Sequence, residues 1–284
     1  MSPHFIDIHP HIISADQTLY PRNPLGGKPS VWSENRPTSW QQLLAAMDEA
    51  GVEKSAIVQA STCYGFDNSY VADAVLARPD RFTGVFSVDL FAKDAPETIR
   101  FWVERGLTGI RVFTAGSTMP TQANTLDDPR TFHAWQAVED LGIPFCVQML
   151  PQGIGMLNTL LAKFPKVKII IDHFMSVPIA GGPPYDGIEP LLSLAHLENV
   201  FLKLSIITVR ECMKGQASPE SFLSRVMQAG FESNRIAWGS NFPASDGSLK
   251  EMIDESLKAL AYLPRQDLDN IMRHTAIELY PALA

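Results

Sequence analysis

His9 and His11, in the run Asp7-Ile8-His9-Pro10-His11, are the sharpest chemical signal in the chain. They close an apolar stretch, Phe5–Ile8, that reads as a strand. Residues i and i+2 of a strand face the same way, so two imidazoles there converge on one metal ion or one substrate oxygen. The same spacing also arises by chance in a surface pair, and position must decide between the two. A second signal, Asp172-His173, follows the buried-looking run Val167–Ile171. Sequence neighbours on a strand point to opposite faces, so Asp172 is not expected to be the direct partner of His173. The third is Trp238-Gly239-Ser240-Asn241-Phe242-Pro243. Small residues followed by a polar side chain and a proline describe a strand exit that aims one group over a cleft. Asn241 positions or polarises there, but it takes no proton.

These residues must be held by something, and eight short apolar runs supply it: Phe5–Ile8, Ser55–Gln59, Thr83–Val88, Gly109–Phe113, Pro144–Gln148, Val167–Ile171, Val200–Leu204 and Arg235–Trp238. Most are continuously apolar, which suits strands covered on both faces. Helical patterns lie between them. Trp40–Ala50 carries an inward stripe of Leu43, Leu44, Met47 and Ala50, with Thr38 or Ser39 as cap and Gly51 as stop. Asp94 precedes a helix to Glu104, and Ser218-Pro219 opens another over Phe222–Ala229. Strand and helix alternation predicts a (β/α)8 TIM barrel in one domain, residues 1–284. No Gly-rich turn follows the first strand, which weighs against a dinucleotide fold. Two excursions break the repeat: residues 12–37, with four prolines, and residues 176–188 after strand six. Both leave strand C-terminal ends, where barrels keep their chemistry, and are read as long substrate-enclosing loops.

Composition narrows the partners. Acidic residues outnumber basic ones 31 to 23, a net charge of −8, so no broad positive field draws nucleic acid or an anionic membrane. An anionic substrate must be caught by a few local cations. Cys63, Cys146 and Cys212 are few, distant and unpatterned, as expected of reduced thiols in a cytoplasmic protein. No signal segment and no membrane-length apolar run is seen. A small molecule is the expected partner, with homo-oligomerisation left open.

Several segments together resemble the amidohydrolase-related hydrolases, in the branch of 2-pyrone-4,6-dicarboxylate lactonase and the sugar-lactone hydrolases. They are His9-Pro-His11, Gly65–Tyr70, Pro79–Phe82 with Gly84-Val85, Gly109-Ile110-Arg111, Val147-Gln148, Asp172-His173 and Trp238–Pro243. Aminocarboxymuconate and resorcylate decarboxylases are more distant. The resemblance implies a metal-site histidine ending strand five and an aspartate ending strand eight. This chain has Gln148 and Asn241 there. With two neutral amides in those places, His9 and His11 hold at most a weakly bound divalent ion such as Zn²⁺, because stable sites want at least three protein ligands. The expected cofactor is none.

The resemblance also implies an aspartate that activates water, and the nearest carboxylate after Asn241 is Asp246. Either Asp246 reaches back or His173 is the base. His173 ranks first because imidazole titrates near neutrality, with His9 and His11 polarising the carbonyl. Arg111 is the leading carboxylate anchor, or else a structural ion pair. Arg210 and Lys203 are weaker candidates, and Lys203 reads equally as an interior polar contact. Tyr64, Asn68 and Gln148 are expected to line the pocket. The function expected is hydrolysis of a lactone of a small anionic acid or sugar acid. A lyase acting on an aromatic or muconate-type acid, and a catalytically altered binding barrel, are the alternatives.

Overall fold

The computed structural model describes residues 4–116 and 121–284. Eight parallel strands run in sequence order: β1 (Phe5–Asp7), β2 (Val52–Val58), β3 (Phe82–Phe86), β4 (Gly109–Phe113), β5 (Phe145–Gln148), β6 (Ile169–Ile171), β7 (Val200–Ser205) and β8 (Ile236–Gly239). The ring is drawn together where the Ile8 amide donates to the Trp238 carbonyl at 3.3 Å. A β-carbon on Gly239 would lie 2.6 Å from that of His9, so only glycine allows the two strand ends to approach. This is the (β/α)8 barrel that the sequence predicts.

The crossover helices are α1 (Trp40–Ala50), α2 (Ser69–Ala77), α3 (Ala95–Val103), α4 (Phe132–Leu141), α5 (Ile154–Lys163), α6 (Glu189–Leu192) and α7 (Pro219–Gln228), with α8 (Leu249–Ala259) after β8. Their ends follow the expected chemistry. Ser39 and Gln42 form a reciprocal capping box on α1, and Gly51 ends it at φ 75°. Ser218 caps α7 ahead of Pro219. One boundary differs: β2 begins at Val52 rather than Ser55, because Val52 and Lys54 pair with β1.

Apolar packing forms two layers. Outside the strands, Leu43, Met47, Ile99, Trp135 and Val226 pack the helices onto the sheet. Inside, Ile6, Ile8, Ala56, Val58, Val85, Cys146, Ile170, Phe201 and Ala237 fill the barrel, whose floor is closed by Ala276, Leu279, Tyr280 and Leu283. A β-carbon on Gly109 would come within 2.6 Å of the Tyr280 ring. The Tyr280 hydroxyl meets Cys146 Sγ at 3.4 Å, and Lys203 Nζ meets the same sulfur at 3.4 Å. All three cysteines are buried and unpaired. Among the described residues no helix is long and apolar enough to cross a membrane.

Both predicted loops lie over the strand C-terminal ends. The loop after β1 is tied down rather than loose: the Asn23 and Leu25 amides donate to the Cys63 and Ser61 carbonyls, and residues Val31–Asn35 form a short helix. The chain after β6 takes an unusual course. His173, Phe174, Met175 and Ser176 are all left-handed, with φ between 50° and 59°. Such backbone costs an L-residue about 1–2 kcal/mol each, here offset by burying Phe174 and Met175 in the core.

Candidate active site

A cavity of about 220 Å³ opens at the mouth of the barrel, walled by His11, Arg111, Gln148, His173 and Asn241, with Trp32 from the first loop. His11 Nδ1 lies 2.8 Å from the Val58 carbonyl. A carbonyl only accepts, so Nδ1 carries the proton and Nε2 is bare. Trp32 stacks on this ring at 5.2 Å. His9 sits deeper, fully buried and outside the cavity wall, with ring centroids 4.9 Å from both His11 and His173. Among the described residues, neither of its ring nitrogens has a hydrogen-bond partner. The two histidines of the motif therefore converge as strand geometry requires, but only His11 reaches the cavity. His173 pairs through Nδ1 with Ser205 Oγ at 2.7 Å.

Beside the imidazoles lies a buried ion cluster. Asp172 Oδ2 accepts from Arg111 Nε at 2.7 Å, and Lys203 Nζ stands 2.7 Å from Oδ1. Arg111 Nη2 donates to Gln148 Oε1 at 2.8 Å. Its Nη1 has no partner among the described residues. Burial pushes the Asp172 carboxyl up, but the adjacent Arg111 and Lys203 charges more than reverse this and hold it well below the usual range. The same two cations act with burial on the histidines. His11 is pushed down to about 3, and His173 to about 4 even though Asp172 opposes the fall. His9 is also held well below its ordinary range, again chiefly by burial. All three imidazoles are neutral at physiological pH. Below them, Asp7 Oδ1 accepts from the His9 and Ser240 amides and ties the β1 exit to that of β8. Burial raises its carboxyl to about 6.

Five expected site residues lie off the cavity wall, His9 and four others. Asp246 does not reach back: its side chain is 87% exposed and is ion-paired with Arg36. Arg210 is engaged by Glu255 at 2.8 Å through two nitrogens, away from the cavity wall. The Tyr64 hydroxyl accepts from the Ser14 amide, so it braces the first loop rather than lining the pocket. Asn68 spends both ends of its amide on backbone, accepting from Ser87 N–H and donating to the Ser87 and Phe66 carbonyls. His9 has no access from which to polarise a carbonyl, and the tautomer of His11 makes it an acceptor rather than a donor. Asn241 stays at the wall, held at φ 59° with its amide donating to Ser245 Oγ at 2.9 Å. Trp32 went unrecognised in sequence, since nothing in a proline-rich loop singles it out.

The amidohydrolase sequence profile matches residues 6–282. The chain belongs to the amidohydrolase family. Two relatives are 26% identical: L-fucono-1,5-lactonase of Burkholderia ambifaria, over 84% of this chain and 80% of its own, and 4-sulfomuconolactone hydrolase of Rhizobium radiobacter, over 88% and 83%. Among solved structures, a probable 2-pyrone-4,6-dicarboxylic acid hydrolase of Acinetobacter baumannii with bound citric acid superposes with TM-score 0.75 at 20% identity, covering 98% of this chain and 100% of that one. An amidohydrolase of Burkholderia multivorans with bound zinc shares the fold at TM-score 0.72 and 19% identity, covering 98% and 99%.

Whether this amidohydrolase has a place for such an ion is a question of charge. Donor atoms of His9, Asp172 and His173 lie within 4.8 Å of one another, a spacing a metal could use. Yet each oxygen of Asp172 already faces a cation. A divalent ion would join two positive charges around one carboxylate, and beyond the bare His11 Nε2 the strand-five and strand-eight positions offer only neutral amides, of which Gln148 is taken by Arg111. The donor set fits a resident dication poorly.

Proposed function

We propose that this amidohydrolase opens the ring ester of a small anionic lactone without a resident metal ion. The carrying observation is Arg111, whose orientation is locked by Asp172 and Gln148 through Nε and Nη2, while the side chain lines a cavity that also presents neutral imidazoles. The two lactone-hydrolysing relatives support the reaction class.

Arg111 holds an anionic oxygen of the substrate, against the overall charge of −8. Water gives a proton to His173 Nε2 as its oxygen adds to the ring carbonyl carbon. Ser205 orients that ring through Nδ1, and ionised Asp172 stabilises the imidazolium as it forms. The tetrahedral oxyanion builds up in the positive field left by Arg111 and Lys203 against the single charge of Asp172. Collapse breaks the ring carbon–oxygen bond, and the proton on His173 passes to the departing oxygen. His11 Nε2, bare and facing the same cavity, orients the attacking water by accepting its second proton in a hydrogen bond. Buried thiols suit work in the cytoplasm.

Proton release during ring opening gives the assay. A pH-indicator screen over muconolactones, pyrone carboxylates and aldonolactones should find turnover that a chelator leaves intact. Turnover abolished by the chelator and restored by zinc would overturn the metal-free reading. No turnover of any lactone, with carboxylate ligands still raising Tm, would favour a binding barrel.

A further inference from the structure

We propose that the substrate carries an apolar group, of aryl or short alkyl kind, seated in a second cavity that shares Arg111 with the first. This rests on the lactone reading for the reacting end only. The second cavity, about 210 Å³, lies where the chain leaves β3 and β4 and is walled by Leu25, Val88, Leu90, Val112 and Leu126. A dry apolar cavity of about 150 Å³ holds a benzene ring. At its edge stand Phe66 and Phe91, 43% and 37% exposed, among the few large apolar side chains that this protein leaves in water.

Arg111 and Phe113 line both cavities, and the guanidinium carbon stands 4.2 Å from the Phe113 ring centroid. The border that the reaction chamber and the apolar chamber share is thus a cation backed by an aromatic face. Asp89, the one acidic side chain among the described residues of the second wall, turns back to accept from the Phe91 amide at 3.0 Å and adds no competing anchor. An acid bound at Arg111 has a polar chamber for its ester on one side and an apolar chamber for its substituent on the other. A sugar acid would leave the second chamber unused.

Binding of unreactive acids tests this without turnover. By isothermal titration, 4-phenylbutyrate should bind at least about tenfold more tightly than acetate, from the buried ring. Thr125→Trp, which fills the apolar chamber from its wall, should erase that advantage and leave acetate binding unchanged. Phe91→Ala and Phe66→Ala, at exposed positions that tolerate change, should each reduce it. Equal affinity for the two acids, or an advantage that survives all three variants, would overturn the proposal. An aryl advantage in a protein that hydrolyses no lactone would remove the lactone reading and leave this one standing. Efficient hydrolysis that ignores the ring substituent would do the reverse.

Discussion

The imidazoles and the ion cluster share one barrel mouth, yet the first group has lost its charge and the second has kept it. His9, His11 and His173 are buried with cations as neighbours, so the proton is driven off each. Asp172, Arg111 and Lys203 are as deeply buried but face opposite charges at 2.7 Å. Burial drives the proton off the imidazoles, with Arg111 and Lys203 adding to it, whereas at Asp172 the same two cations outweigh burial. On the reading proposed above, the charged side holds an anion and the neutral side receives a proton.

Breaking the charged side should cost most. Asp172→Asn leaves two buried cations uncompensated and should lower unfolding free energy by about 3–5 kcal/mol in urea titration. A loss below about 1 kcal/mol would mean that the cluster is hydrated rather than dry. On the neutral side, His173→Asn should lower kcat by about 10²–10⁴-fold with little change in KM, read in the proton-release assay. A pure KM effect would make it a binding residue.

Acid should discriminate between the two groups through stability. The folded pKa values of His11 and His173 lie below the unfolded value of about 6.5, so their contribution is complete above that pH and is lost as pH falls through it. At pH 5 each should have cost about 2 kcal/mol, with His9 acting in the same direction. Asp7, raised to about 6, works the other way and returns about 1 kcal/mol over the same range. A melting temperature that holds between pH 7 and pH 5 would contradict the neutral-imidazole picture. Smallest of all, Asp246→Asn should change kcat/KM by less than about twofold, since removing an exposed ion pair moves stability by only about 0–1 kcal/mol. A larger loss in activity would restore it as the water-activating group.

The barrel and its chemical rim were legible because their signals are local: apolar strand runs, cap residues, and paired histidines at a strand end. What escaped depends on contacts between distant strands. Lys203 interrupts an apolar run, and only the Asp172 carboxylate across the barrel explains it. The alternation rule rightly denied Asp172 to His173 as a partner, yet both converge on His9, because the chain turns left-handed at His173 and strand alternation ends there. Asp246 is five residues from Asn241 in sequence, but the chain carries it out to Arg36 at the surface. Tyr64 and Asn68 were polar residues near a strand exit, and their backbone partners cannot be read from spacing.

Tyr280, the peg in the barrel floor, bears on all of this from the far end. Its hydroxyl reaches Cys146, Cys146 reaches Lys203, and Lys203 supports the carboxylate that aims Arg111. A stopper in that position keeps bulk solvent from rising through the barrel. Were it withdrawn, water would enter beneath the ion cluster, the local dielectric would climb, and the histidines above would regain part of their basicity. The acid–base character of the mouth is thus set partly by how well the drain is sealed.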